Sequence, residues 1–152
     1  MKHRKLGRDG TAVYPVGFGA MSFTNFYGPT NEAESYAILD RALELGVNLL
    51  DTSNVYGQGA SETVIGNYLK ANPAAKEVFQ IATKGGITRK PDGTGNTFDN
   101  SAEHLEQELN KSLSRLGVEA VDLYYIHRRD PSIPIEEVTE TLAGFVKAGK
   151  VK

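Results

Sequence analysis

The sequence predicts an α/β fold in which strand, loop and helix repeat around a parallel sheet. Four hydrophobic segments, each followed by a polar stretch and an amphipathic run, open at Val16, Val47, Val78 and Val121. Strands that alternate with helices in this way indicate parallel pairing through right-handed crossovers. The spacing leaves two closures open: a doubly wound sheet, which binds ligands where the strand order reverses, and a (β/α)8 barrel, which places its chemistry at the carboxyl ends of several strands.

Four polar residues near the ends of these segments favour the barrel. They are Asp51, Tyr56, Lys84 and His127, and each lies at or just past the carboxyl end of a predicted strand. A barrel gathers such residues on one rim. We therefore predict a single domain that holds the first four units of a (β/α)8 barrel, a half-barrel in residues 16–152, behind an N-terminal β-hairpin in residues 1–15.

The first elements have recognisable boundaries. Residues 3–15 alternate weakly around an Asp9-Gly10 turn, which predicts a hairpin that could plug the bottom of a barrel. The first helix begins after Asn31, because this residue can cap the helix together with Glu34 three positions later. Gly46 is expected to end it.

The later helices are predicted from the same kinds of signal. A short second helix runs from residue 61 to residue 70, and a third extends from a cap at Asn100 or Ser101 to Gly117. Pro134 starts the fourth helix, which should end near Gly149. Residues 85–100 are rich in Gly, Asp, Asn and Thr and predict an extended loop on the active face.

Composition excludes several classes of function. The chain has 152 residues with 17 basic and 19 acidic side chains, a net charge of -2, so nothing electrostatic favours nucleic acid or an anionic membrane as a partner. It contains no cysteine, and we expect a cytoplasmic protein without disulfides. No apolar run is long enough to span a bilayer, and the basic first ten residues lack the apolar core of a targeting segment.

The four rim residues together suit proton transfer. A Tyr hydroxyl is a weak acid, and a neighbouring cation makes it a more effective proton donor. Lys84 and His127 are candidates for that cation, and Asp51 could pair with Lys84. Each residue alone also has an ordinary explanation: Asp51 could bond backbone amides of its own loop, Tyr56 could cover the barrel top, Lys84 could lie on the surface and His127 could be a core imidazole.

Other chemistries are weakly represented. The segment at residues 17–22 has two of the three glycines of a dinucleotide fingerprint, with Ser22 in the third place, and we interpret these glycines as close-packed backbone. The three histidines, His3, His104 and His127, are too scattered for a recognisable ligand set, so no metal site is predicted.

Four segments resemble successive N-terminal signatures of the aldo-keto reductase family. They are GFGAM at 17–21, LDRALELGVNLLDTSNVYGQGASETVIG at 39–66, IATKGG at 81–86 and DLYYIHRRDPSIPIEE at 122–137. The resemblance implies a (β/α)8 fold and NADPH-dependent interconversion of aldehydes or ketones and alcohols. In the family scheme Tyr56 donates the proton, Lys84 assists it, Asp51 holds Lys84 and His127 orients the carbonyl. Ala20, Met21 and Asp51 match positions that line the nicotinamide.

The resemblance also implies that most of the cofactor grip lies on later strands, so that the NADPH site in these residues is incomplete. Inward-facing residues such as Leu49, Ile81 and Tyr125 would then lack an opposite wall, and two sheet edges would be unpaired. We expect either a homodimer or pairing with a complementing C-terminal half-barrel, with a small carbonyl compound as substrate. The alternative is a non-catalytic half-barrel that associates through its open edges.

Overall fold

The structure, a computed structural model, describes residues 3–8, 10–90 and 92–152. In chain order its elements are β1 (Arg4–Lys5), β2 (Ala12–Val13), β3 (Phe18–Gly19), α1 (Glu32–Glu44), β4 (Leu49–Asp51), α2 (Ala60–Ala71), β5 (Gln80–Gly85), β6 (Ile87–Arg89), β7 (Asn96–Phe98), α3 (Ala102–Leu116), β8 (Leu123–Ile126) and α4 (Ile135–Lys147). The predicted alternation of strand and helix is present. The predicted division into residues 1–15 and 16–152 stays a prediction.

Four strands form a parallel sheet in the order β3-β4-β5-β8. Each strand is connected to the next one in the sheet through a helix: α1, α2 and then α3. This order does not reverse anywhere, so the sheet lacks the switch point of a doubly wound fold in the part of the chain that is described. The order agrees with the first four units of the predicted barrel. That these residues form half of a (β/α)8 barrel stays a prediction.

The helix boundaries follow the local signals in the sequence. The Asn31 side chain accepts a hydrogen bond from the amide of Glu34, and Gly46 follows the helix with a φ of 76°. Ser101 rather than Asn100 caps α3, and Gly117 ends it in the left-handed conformation. Within the described ranges, no helix is long and apolar enough to cross a membrane.

One hydrophobic core joins the helices to the outer face of the sheet. All four helices contribute buried side chains to it, among them Leu39, Ile65, Leu69, Leu105, Leu109 and Val138. Leu50 of β4 and Ile81 of β5 are register partners and lie in this core. The prediction that Ile81 faces inward was therefore wrong, because the register places Ile81 beside Leu50, on the face that packs against the helices.

The inner face of the sheet carries the strand residues that alternate in sequence with the core residues. Leu49 pairs with Gln80 and Lys84 pairs with Tyr125, so these side chains project away from the helices. Tyr125 is 44% exposed. The predicted inward direction of Leu49 and Tyr125 is confirmed, and this face of the described chain is open.

Two hairpins flank the sheet. β1 and β2 pair antiparallel as predicted, although Asp9 of the predicted turn lies outside the described residues. The second hairpin, β6 with β7, was not predicted: Ile87 pairs with Phe98 and Arg89 with Asn96. It occupies most of the segment that the sequence analysis assigned to a loop, whose Pro91 is also outside the described residues.

Candidate functional site

Lys84 lies at the centre of the candidate site. Its Nζ donates to Asp51 Oδ1 at 2.5 Å, to the Thr52 carbonyl oxygen at 2.9 Å and to Tyr56 Oη at 3.0 Å. An ammonium group has three donors, so these contacts use all of them and fix its position. The Lys84 side chain is 14% exposed, which excludes the alternative of an ordinary surface lysine.

The register of the sheet explains why Asp51 meets Lys84. Asp51 is the last residue of β4 and pairs with Ala82, two positions before Lys84 on the same face of β5. Its carboxylate therefore reaches across to the ammonium group. The alternative in which Asp51 bonds the amides of its own loop is wrong, because the Asn54 amide donates instead to the Lys84 carbonyl oxygen at 3.2 Å.

A left-handed turn places Tyr56 over Lys84. Tyr56 begins a short 3₁₀ helix, and the next three residues, Gly57, Gln58 and Gly59, have φ values of 58°, 56° and 92°. A Cβ on Gly57 would lie 2.8 Å from the Thr24 methyl group, so glycine is required there for both conformation and space. This turn reverses the chain and sets the Lys84 ammonium 4.7 Å from the centre of the Tyr56 ring.

Buried hydrogen bonds at the start of α2 anchor this turn. Glu62 is fully buried, and its carboxylate accepts from Thr83 Oγ1 at 2.6 Å and from Arg115 at 2.5 Å. Ser61 Oγ donates to the Ala20 carbonyl oxygen at 2.8 Å and contacts Thr52 Oγ1 at 2.9 Å. The turn that carries Tyr56 is thus fixed to β5, to α3 and to the segment after β3.

His127 completes the group at the end of β8. Its backbone amide donates to the Gly85 carbonyl oxygen at 2.8 Å, and its ring lies edge-on to Tyr56 with 5.7 Å between ring centres. Nδ1 is 3.0 Å from Ser53 Oγ. Burial, together with the positive charges of Lys84 and Arg128, holds the pKa of the His127 imidazole below its usual value despite the opposing effect of Asp51.

Tyr56 and His127 line an open cavity of about 570 Å³. Met21, from the 3₁₀ helix Ala20–Phe23 after β3, also lines this cavity, as do Ile87, Arg89 and Asn96 of the second hairpin. Ala20 is buried, and the described contact of its backbone is the hydrogen bond to Ser61. The structure therefore brings Asp51, Tyr56, Lys84 and His127 together and sets Met21 beside them, whereas cofactor contact by Ala20, Met21 and Asp51 stays a prediction.

Three residues of the site were missed by the sequence analysis. Ser53 contacts His127, Asn54 donates from Nδ2 to Glu108 Oε2 at 2.8 Å, and Glu108 also accepts from Lys111 at 2.7 Å. Ser53 and Asn54 lie in the sequence between Asp51 and Tyr56, and this position next to two candidate site residues was an available signal. Glu108 had none, because it belongs to the polar face of α3. Among the described residues, no cluster of three or more His, Asp or Glu side chains is arranged to hold a metal ion.

Comparison with known proteins gives a consistent result. The family model described as the Aldo/keto reductase family matches residues 15–152. An NADP(+) aldo-keto reductase of Schizosaccharomyces pombe is 39% identical over 149 residues, covering 98% of this chain and 43% of the relative. A 6-dehydroglucose reductase of Novosphingobium aromaticivorans is 35% identical over 155 residues, covering 98% of this chain and 49% of the relative.

Solved structures agree with the sequence relatives. An aldo-keto reductase from Bacillus halodurans, in its holo form, superposes with a TM-score of 0.86 at 33% identity, covering 99% of this chain and 48% of that one. A glycerol dehydrogenase from Gluconobacter oxydans gives a TM-score of 0.83 at 29% identity, covering 99% and 46%. The chain spans about half the length of the relatives that it matches.

Proposed function

This chain belongs to the aldo-keto reductase family, and from that premise we propose that it supplies the proton-donating side of an NADPH-dependent site that interconverts small aldehydes or ketones and alcohols. The observation that carries the proposal is the contact of 3.0 Å between Lys84 Nζ and Tyr56 Oη, with Asp51 on the other side of the ammonium group. An ammonium group at this distance stabilises the phenolate that remains after proton donation.

Tyr56 is the proton donor in this proposal. Tyr56 lines the cavity and its hydroxyl oxygen accepts a hydrogen bond from Lys84, so proton loss to a carbonyl oxygen leaves the phenolate charge beside a fixed cation. Asp51 keeps that cation in place. A positioned general acid of this kind contributes on the order of 10²–10⁴ in rate.

His127 is the second group that would contact the reacting oxygen. Its ring stands edge-on to Tyr56 in the same wall of the cavity, so one oxygen atom can meet both side chains. The imidazole would hold this oxygen in the alcohol when the ring is neutral and in the carbonyl compound when the ring is protonated. Orientation of the reactants supplies a further part of the rate enhancement.

The described residues fit one end of NADPH. The cavity next to Tyr56 is open, and its wall at Met21 is apolar, which suits the flat face of a nicotinamide ring. Met21, with Ala20 and Asp51 in supporting positions, would hold that ring, and NADPH supplies the hydride when bound. The pyrophosphate and adenosine groups would need partners other than these three residues.

Exposed apolar surface favours a second candidate, association without catalysis. Val16 is 59% exposed, and with Ile38 and Leu45 it forms an apolar groove between the edge strand β3 and α1. An apolar groove beside an unpaired strand edge favours pairing with another chain. We propose that this face is covered either by a second copy or by a complementing half-barrel, and in the second candidate this association takes place without catalysis.

Turnover of NADPH separates the two candidates. The native chain, Tyr56→Phe and the matched control Tyr36→Phe would be mixed with NADPH and a small aldehyde, and loss of the reduced cofactor would be followed. Tyr36 lies on α1 against Tyr68, in a different part of the fold. Turnover that only Tyr56→Phe abolishes supports the reductase. Absence of both NADPH binding and turnover in an ordered dimer favours the non-catalytic candidate.

A further inference from the structure

A chain of buried polar side chains runs from the ring of His127 to α3. Nδ1 of His127 is 3.0 Å from Ser53 Oγ, which is 3.3 Å from Asn54 Oδ1, and Asn54 Nδ2 donates to Glu108 Oε2 at 2.8 Å. Ser53 is fully buried and Asn54 nearly so. We propose that Ser53, Asn54 and Glu108 are positioning residues that hold His127 in the tautomer with the proton on Nδ1, leaving the Nε2 lone pair for the cleft.

Glu108 sets the orientation of the Asn54 amide. An ionised carboxylate only accepts hydrogen bonds, so Nδ2 faces Glu108 and Oδ1 must face Ser53. Burial acts to raise the pKa of Glu108, but hydrogen bonds from Lys111 and Asn54 outweigh it and hold the pKa below its usual value. The carboxylate therefore stays ionised at neutral pH, and the direction of the amide is fixed.

Counting protons at Ser53 then determines the tautomer. Its hydroxyl has one proton to donate and can accept two hydrogen bonds. Asn54 Oδ1 and the Lys84 carbonyl oxygen, both 3.3 Å away, only accept, and the Val55 amide at 3.5 Å only donates. A proton on Nδ1 of His127 supplies the second donor and frees the hydroxyl proton for Asn54 or Lys84. Without it, one hydroxyl proton would face three acceptors.

The arrangement in which every buried group has a hydrogen-bond partner has the lower free energy. Leaving a buried acceptor without a donor costs about 1–3 kcal/mol, and hydrogen bonds in an ordered chain strengthen one another. The distance of 3.0 Å also matches the usual length of an N–H···O bond. The arrangement with a proton on Nδ1 satisfies every member of the chain from the ring to the carboxylate.

The tautomer decides what His127 offers at the cleft. Nε2 has no hydrogen-bond partner within the described part of the chain, and the ring lines the cavity beside Tyr56. The neutral ring therefore accepts a hydrogen bond there from a hydroxyl, and it donates to a carbonyl oxygen only after protonation. This consequence rests on the proposed function, whereas the tautomer itself does not depend on turnover.

Protonation of the ring is opposed by its surroundings. The charged or titratable groups that face it are Lys84, Arg128, Asp51 and Tyr56. Burial and the two cations disfavour the imidazolium more than Asp51 favours it, so the pKa lies below the usual value. At neutral pH the ring is uncharged, and its tautomer can be observed directly.

Nitrogen NMR of the native chain, with ¹⁵N-labelled histidine, tests the proposal near neutral pH. The signals of His127 are assigned by their loss in His127→Gln, because the chain has three histidines. We expect Nδ1 to be of the protonated type and Nε2 to be of the unprotonated type. The reverse assignment in the native chain would overturn the proposal, whether or not the chain reduces aldehydes.

Two variants test the positioning residues separately. Ser53→Ala removes the acceptor for Nδ1–H and should make the Nε2–H form the major one. Asn54→Leu keeps the hydroxyl and leaves the Lys84 carbonyl oxygen as the other acceptor of its proton, so it should only raise the share of the Nε2–H form. The control Ser114→Ala, at an exposed position on α3, should leave the spectrum unchanged. A folded Ser53→Ala or Asn54→Leu variant with the native ratio of tautomers contradicts the proposed role of that residue.

Discussion

Breaking the buried ion pair between Glu62 and Arg115 should cost far more stability than breaking a surface pair of nearly equal length. The two pairs are matched: Arg115 meets Glu62 at 2.5 Å, and Arg41 meets Glu44 at 2.6 Å. They differ in burial. Glu62 is 0% exposed and Arg115 25%, whereas Arg41 and Glu44 are 64% and 63% exposed.

Removing each arginine leaves its partner in a different environment. Arg115→Met leaves a buried carboxylate with Thr83 as its remaining described donor, and breaking a buried pair costs about 3–5 kcal/mol. We expect about 3 kcal/mol, the low end, because the partial exposure of Arg115 lets water approach. Arg41→Met should cost about 0–1 kcal/mol, as exposed pairs do.

Urea unfolding followed by circular dichroism measures both free energies of unfolding. For a chain of this length, a loss of 3 kcal/mol corresponds to a fall in Tm of about 6–12 °C. Equal losses from Arg115→Met and Arg41→Met, within about 0.5 kcal/mol, would refute the argument that burial makes the Glu62 pair the anchor of the Tyr56 turn.

Two further predictions concern the turn and the imidazole. Gly57→Ala should lower the free energy of unfolding by about 1–2 kcal/mol, because the residue has a φ of 58° and a methyl group would meet Thr24. The control Gly144→Ala, at an open position on α4, should raise the free energy of unfolding by about 0.5–1 kcal/mol. Equal urea midpoints for the two variants would contradict this reasoning. The pKa of His127 is lower in the folded chain than in the unfolded chain, so the unfolded chain binds a proton at this ring more readily than the folded chain does. The stability that the neutral ring contributes is complete above a pH of about 6.5, and it is lost as the pH falls through the lower folded pKa. Urea unfolding of His127→Gln should therefore show a flatter loss of stability below that pH than the native chain, and parallel curves would count against a depressed pKa.

Local signals in the sequence were sufficient for the helices and for the convergence of the four polar residues. Asn31 and Gly117 act within one turn of their own helices, so their effects can be predicted without knowledge of the fold. Asp51 and Lys84 meet because parallel neighbours in chain order place their carboxyl ends together. Alternation and strand order therefore predicted this contact.

Contacts that depend on register or on distant helices could not be predicted in this way. Ile81 was assigned to the wrong face because side chains alternate along a strand, so Ile81 and Lys84, three positions apart, cannot both point inward. The register with Leu50 places Ile81 in the core. The hairpin of β6 and β7 was hidden by its polar composition, although an Asp-Gly pair at residues 92–93 was an available turn signal. Glu108 reaches Asn54 only because α3 packs against the sheet, which no local pattern reports.

The central claim is that Tyr56 and Lys84 act as one proton-donating unit. A double-mutant cycle in kcat/KM for NADPH-dependent reduction of a small aldehyde, with Tyr56→Phe, Lys84→Met and both together, measures this directly. We expect the double variant to be no slower than Tyr56→Phe alone, because Lys84 assists only through the phenol. Losses that multiply in the double variant would contradict the claim.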